Sequence, residues 1–508
     1  MYSAYLKSAV DIQRVLQSLR SFSKQFYFNH FVITCRIAAR EYSFEQFLEV
    51  EVADFDESQI ATFATNWFAT KEPLRAKKFI QKLKDNNPIQ ELATCPLLLT
   101  MLCLVFAESV DFPNNRSELY KTGMDILLSK WDAKRNIERD QVYKQLSVQH
   151  KSDILSQIAQ KTFERGDYFF KQEEIAKCIT DYIYNLPSVS TEREALQLNS
   201  QAVLKSIEAQ HGLLVERARG IYSFSHLTFH EYFTAREIVA SSNPQALDTA
   251  LKHLVSHITE KRWREVFLLT VGMLRNADYL LQLMKQQIDV QVAQDKHLQA
   301  FLIWLSQKGC AVDTPYQWVA VRAFYLDLAL ARDLILVSGT LGLARALDPT
   351  LTLARDFARD FALDRALDRT LALALDPALE PKLVIDGVLE RAHDHALTQL
   401  PELERSLQQL KEQLPDPNKN REKFKQWWIA SGQAWAETLR AVTIKYRHMG
   451  HEWQFNNQQR EALRQYYDAN QLLVDCLNSH CYVTRTVRDK ILNTLLLPLK
   501  ETRIPYPL

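Results

Sequence analysis

Hydrophobic positions recur along most of this chain at the three-to-four-residue step of a helix. Leu6, Val10, Leu16 and Leu19 set that rhythm over residues 1–20, which predicts one amphipathic helix. The rhythm then breaks. Phe31-Val32-Ile33-Thr34 is a short continuous apolar run, the pattern of a strand buried on both faces of a parallel sheet. Phe47 to Val52 interleaves Glu49 and Glu51 with Val50 and Val52 and also predicts a strand. Two strands cannot make a stable doubly wound sheet, so the chain is expected to begin inside an α/β domain, with residues 1–53 as its remnant.

The helical step returns over 54–145, a helical domain. Asp56 is placed to cap a helix, with Gln59 three residues on as half of a capping box. Pro96 opens the strongly apolar helix Leu97–Phe106, as proline does in a first turn. Asn114 or Asn115 caps a helix running to about Trp131. Over 146–240 the pattern changes. Helices near 153–164, 173–185 and 193–210 precede two apolar runs, Leu213–Arg217 and Ile221–Ser225, which flank Ala218-Arg219-Gly220. A three-residue loop with glycine last closes a β-hairpin. A helix from Thr228 follows, and helices followed by a hairpin describe a winged helix. The predicted fold is therefore mainly α: an α/β remnant, a helical domain, a winged helix, then helical repeat or bundle regions at 241–382 and 383–508.

Within 341–380, Leu (11), Ala (9), Asp (6) and Arg (5) make up 31 of 40 residues. Leucine and alanine supply core and helix propensity, so this low complexity is not the disordered kind. Its charges fall at 355/356, 359/360, 364/365 and 368/369. The first four lie on one side of a helical wheel and the last four on the other. A break at 361–363, or a helix packed between two layers, would reconcile them. Further on, Leu400, Leu403, Leu407, Leu410 and Leu414 step 3-4-3-4, too short for a coiled coil and suited to a contact between helices of one chain. Pro415-Asp416-Pro417-Asn418 breaks the chain before a last helical unit, about 421–498, that carries Trp427, Trp428, Trp435 and Trp453.

Composition removes several functions. The chain has 508 residues and only 11 glycines, about 2% against a usual ~7%. None is spaced for a dinucleotide turn or a Walker A phosphate loop. The 62 basic and 61 acidic residues leave a net charge of +1, with no global pull toward nucleic acid or an anionic membrane. Seven cysteines, an odd number without a CxxC, suit a reducing cytoplasm. The longest apolar run, Cys95 to Ala107, is 13 residues, too short to cross a bilayer. The first residues carry no signal-peptide pattern.

Three places could carry chemistry. Arg36 ends the segment FVITCR, at the strand edge where open α/β sheets bind ligands; it either reads a phosphate or caps the strand. His226 stands between the hairpin and a helix N-terminus; it either donates to an anion or bonds to backbone. With His230 it forms an i,i+4 pair, but HEYFT lacks the second histidine of a zinc-protease helix. Cys476, His480 and Cys481 match no common zinc spacing and read as core thiols. His448, His451 and Glu452 read as a solvated helix end.

The segments FVITCR with Glu41-Tyr42, VEVADFDESQIATFATNWF, ELATCPLLLTMLCLVF, NNRSELY with LLSKWD, and HGLLVERARGIYSFSHLTFHEYFTAR occur in that order over about residues 29–240. Together this portion resembles bacterial NACHT-type signalling NTPases of the STAND group. The repeat-rich and tryptophan-rich tail looks like the helical sensor-side regions of such proteins. The resemblance implies a phosphate-loop NTPase sheet, then a helical domain and a winged helix, with ATP or ADP and Mg held between them in intact relatives. It puts Arg36 in the place of a sensor arginine near the γ-phosphate, Pro96 against adenine, and His226 at the β-phosphate of a closed, ADP-bound state. The family's Walker A and Walker B segments belong upstream of FVITCR. Here about 30 residues precede it, without a glycine or an acidic run, so the lysine and aspartate of phosphoryl transfer are missing.

The chain is therefore expected to be a C-terminal part of a NACHT protein, from a split or shortened gene, holding no cofactor and hydrolysing no ATP alone. Two functions fit: the regulatory, sensing portion of a defence-signalling switch, or a helical scaffold for a protein partner with a vestigial NACHT portion. Either would work in the cytoplasm with a protein partner or a second copy of itself, rather than with nucleic acid or membrane.

Overall fold

Side-chain caps fix where the helices start, and the apolar stripes between caps decide what each helix covers. The computed structural model describes residues 9–32, 53–109, 111–134, 146–186, 200–334, 342–348, 401–415 and 421–498, apart from short breaks within them. The strands expected at Phe31–Thr34 and Phe47–Val52 fall almost wholly outside the described residues, as do Arg36 and the expected break at 361–363. Among the described residues the chain is mainly α-helical with one small antiparallel sheet, and it divides into two compact units, Met1–Ala107 and Glu108–Leu508.

The first unit holds α1 (Ala9–Gln25), α2 (Glu57–Phe68), α3 (Pro73–Lys84), α4 (Asn87–Ala93) and most of α5 (Pro96–Ser109). The capping box at α2 is complete: Gln59 N–H donates to Asp56 at 2.8 Å and Asp56 N–H to the Gln59 side chain at 3.0 Å. Pro96 opens α5 as predicted. Phe68, Phe79 and Phe106 bring α2, α3 and α5 together, with Phe79 edge-on to Phe106 at 5.3 Å. All three rings are buried.

The second unit begins with α6 (Arg116–Lys134), whose cap is Asn115, accepting from Glu118 N–H at 2.9 Å. Then come α7 (Val148–Glu164), β1 (Phe170–Lys171), α8 (Gln172–Tyr184), β2 (Leu214–Ala218), β3 (Ile221–Phe224) and α9 (Leu227–Val239). The sheet order is β1-β3-β2, all antiparallel, with Phe170 opposite Tyr222 and Leu214 opposite Phe224. Helices α7, α8 and α9, a further helical stretch at 200–205, and this sheet make the winged helix. The hairpin differs from the sequence expectation. Its strands close on two residues, Arg219 and Gly220, and the extra residue is taken up as a bulge between Glu216 and Ala218. Gly220 has φ +71°, a conformation that costs a side-chain-bearing residue more than glycine. Glu216 holds the turn by accepting from Gly220 N–H at 2.6 Å.

Beyond the wing run α10 (Pro244–Ser256), a 3₁₀ turn (Lys261–Trp263), α11 (Arg264–Met273), α12 (Asp278–Ala293), α13 (Lys296–Ala311), α14 (Trp318–Leu334) and α15 (Gly342–Leu347). The C-terminal region contributes α16 (Pro401–Glu412), α17 (Arg421–Arg447), α18 (Asn457–Asn478) and α19 (Arg485–Thr494). The leucine step at 400–414 makes an intramolecular contact. Leu403, Leu407 and Leu410 are buried, α16 lies along α17, and Trp435 Nε1–H donates to the Leu410 carbonyl at 2.9 Å. Helix α18 packs on α11, α12, α14 and α15. Asp295 ties the start of α13 to α18 by accepting from the Gln459 amide at 2.9 Å.

Candidate functional site

The winged helix is built to hold α9 in a fixed pose. Helix α7 starts at Ser147, which accepts from His150 N–H at 3.1 Å. It ends in a paired closure: Gly166 N–H donates to Phe163 O and Asp167 N–H to Thr162 O, both at 2.9 Å, with Gly166 at φ +72°. That is the Schellman ending, which satisfies two carbonyls a helix would otherwise leave open. It turns the chain so that Phe170 can pair into the sheet. The β1 strand has two residues and no period a sequence pattern could show.

Two histidines follow the hairpin, and the structure gives them different parts. His226 caps α9 with extended backbone, φ −130° and ψ 145°, and its side chain makes no capping bond. The residue is exposed, and its ring meets Phe229 edge-on at 5.7 Å. His230, one turn on, is 2% exposed. Its Nε2 lies 3.0 Å from the Ala159 carbonyl oxygen and 2.8 Å from Thr162 Oγ1. A carbonyl only accepts, so Nε2 carries the proton. Its ring stacks on Phe224 at 4.8 Å and meets Phe163 edge-on at 5.2 Å. His230 is thus a structural histidine, while His226 caps α9 with its ring edge-on to Phe229.

Charges lock the far end of α9. Arg236 donates to Asp153 at 2.7 Å and to Ser156 at 2.9 Å, both on α7. Tyr182 on α8 donates to the same Asp153 at 3.2 Å, and burial beside that carboxylate pushes the phenol up to about 12. Glu237 is also raised, chiefly by burial. These pairs join residues 29 to 83 positions apart, and no local pattern in the sequence marks them.

Helix α11 carries the site onward. It packs on α9, α6 and α18. Arg116 forms a two-bond pair with Glu265 at 2.9 Å. Ser117 donates to the Leu269 carbonyl at 3.1 Å, and a Cβ built on Gly272 would lie 2.3 Å from Ser117 Oγ, so α6 and α11 nearly touch there. On the other side Arg264 pairs with Asp475 of α18 at 2.7 Å. Asp278 accepts from Thr484 N–H and Oγ1–H at 2.8 and 2.7 Å. Ala277 N–H donates to Tyr482 O at 2.9 Å. At the base of the winged helix, Arg262 donates to the carbonyls of Phe163 and Glu164, at 2.5 and 3.3 Å, and to Glu260.

Of the residues singled out from the sequence, Pro96 belongs to the first unit and His226 to the second, while Arg36 lies outside the described residues. Cys476 is fully buried, and burial holds its thiol well above the usual range. Cys481 Sγ leans on the Cys476 carbonyl at 3.4 Å. His448, His451 and Glu452 lie outside the described residues. Among the described residues no group of three or more metal-ligating side chains could hold a metal ion. No described helix is long and apolar enough to cross a membrane.

Comparison with known proteins supplies two matches. Residues 116–238 match the model of the winged helix-turn-helix domain C-terminal to NACHT. Residues 403–498 match that of NACHT C-terminal helical domain 2. The first takes in α6 together with the whole winged helix, and the second runs from α16 through α19. A search of curated proteins gives no match.

Proposed function

The chain carries the C-terminal portion of a NACHT-family protein, and from that premise we propose that it is the regulatory, sensing part of a NACHT-type STAND signalling NTPase acting in cytoplasmic defence. In this reading the winged helix closes over a nucleotide that a phosphate-loop core holds, and the helices behind it respond to a trigger, a protein partner or a second copy of the chain. The observation that carries it is the packing of α11 on α9 and on α18 at once. A displacement imposed on the 403–498 domain passes through α18 and α11 to the helix that His226 caps. A two-state switch needs such a coupling element.

The residues present suit one part of a nucleotide. His226, exposed at a helix N-terminus, would offer a donor to a diphosphate. The chain by itself would hydrolyse no ATP in this reading, because none of its 11 glycines is spaced for a Walker A phosphate loop.

The test has two arms. Purified full-length chain should turn over ATP at background rate and bind ADP more weakly than ~1 μM, about −8 kcal/mol. With a NACHT phosphate-loop core fused ahead of residue 1, ADP should be retained, and His226→Ala should speed its release. Turnover by the unfused chain, or ADP retention indifferent to His226→Ala, would overturn the proposal.

A further inference from the structure

Helix α18 packs on α12 more than on any other helix, and among the described residues no hydrogen bond or ion pair joins the two. Each helix nevertheless buries polar side chains. Lys285 and Asp289, one turn apart on α12, are buried, and Lys285 Nζ donates to the two Asp289 oxygens at 2.6 and 2.5 Å. On α18, Tyr466 and Asn470 are fully buried. The Asn470 amide donates to the Tyr466 carbonyl at 2.8 Å. The Tyr466 hydroxyl and the Asn470 side-chain oxygen have no hydrogen-bond partner. Burial first, and then the Asp289 carboxylate, raise the Tyr466 phenol, so the α12 pair and the α18 pair share one stretch of the seam.

Every hydrogen bond these four side chains make therefore stays within one helix. Parting α12 from α18 would break none of them. It would give water to two orphaned polar atoms and to an ion pair, all of which cost free energy to keep buried. Around them the helices bury apolar side chains, among them Leu281, Met284 and Ile288 of α12 and Leu463 and Leu473 of α18. Apolar burial holds the seam closed, and the polar groups inside it work against that hold. The bonds that α18 makes elsewhere, such as Asp475 with Arg264 and Gln459 with Asp295, reach other elements.

We propose that the α12–α18 contact is a releasable seam, weakened from within by Lys285, Asp289, Tyr466 and Asn470, and that the two helices part there in a local opening short of unfolding. Such sub-global openings occur where a contact is weaker than the elements it joins. The seam does not depend on the nucleotide reading above.

Two readouts on the full chain test this. Hydrogen exchange over 278–293 and 457–478 follows both helices. Alkylation of Cys476, a fully buried thiol on α18, by iodoacetamide and peptide mass spectrometry follows α18 leaving its neighbours. In the wild type the two peptides should open together, and more readily than 148–164 of α7. Tyr466→Phe deletes an orphaned hydroxyl and should lower the opening equilibrium and the Cys476 labelling rate about fivefold or more, with α7 unchanged. Lys285→Met combined with Asp289→Leu should lower both further. A merely structural role gives the opposite sign, because most substitutions in a core destabilise. Unchanged or faster opening in Tyr466→Phe, more ready opening in a folded double variant, or α12 and α18 opening only together with α7 would each overturn the seam. Should the double variant fail to fold, as far-UV circular dichroism would reveal, Tyr466→Phe decides alone.

Discussion

Gly272→Ala measures how tightly α6 is joined to α11 at the rear of the winged helix. The new methyl would sit 2.3 Å from Ser117 Oγ and 3.1 Å from Ser117 Cβ. Ser117 is 5% exposed and already donates to the Leu269 carbonyl, so it has little room to yield. Overpacking of this kind costs ~1–3 kcal/mol, and losing the buried hydroxyl bond about 1 more. Against that, alanine gains ~1 kcal/mol over glycine inside a helix. The balance is a destabilisation of ~1–3 kcal/mol, where 2 kcal/mol is about thirtyfold in an opening equilibrium. Hydrogen exchange over residues 116–134 and 264–273 reads it locally, without treating so large a chain as two-state. In a Ser117→Gly background the clash disappears, and Gly272→Ala should become neutral or stabilising by ~1 kcal/mol. Equal or greater protection in the single variant, or no rescue in the double, would refute the close-approach argument.

Two further measurements separate packing from function. His230→Ala removes a buried ring bonded to Ala159 and Thr162 and should destabilise the winged helix by ~2–4 kcal/mol in thermal or urea unfolding, whereas His226→Ala, on an exposed residue, should stay within ~0.5 kcal/mol. Leu403→Ala or Leu407→Ala should each cost ~2–4 kcal/mol at the α16–α17 hairpin, seen as faster proteolysis near residues 413–420, while alanine at exposed Gln408 should leave the digest unchanged.

Local chemistry was readable where one residue settles one bond. Asp56 with Gln59, Asn115, Pro96 and the leucines of α16 all do what their spacing implies. Gly220 marked the hairpin, though the bulge that shortens the loop needs the register of both strands. The histidine pair shows the limit. Spacing puts His226 and His230 one turn apart, but which ring goes inward depends on Phe163, Phe170 and Phe224 closing around His230. Pairs such as Arg236 with Asp153, and Arg116 with Glu265, join residues 83 and 149 positions apart. Periodicity carries no information on such pairings, because they arise only from how finished helices pack.

Arg264 of α11 and its partner Asp475 of α18 are separated by 211 residues, which sets an order on how this protein is made. At ~5–20 residues per second of synthesis, α18 leaves the ribosome roughly 10–40 s after α11. The winged helix must therefore take shape before its C-terminal brace exists, with the side of α11 that α18 later covers open to water and to other chains. Nascent chains at that stage, and truncated products ending before α18, carry an uncovered helix face of the kind that chaperones bind and that aggregates form through.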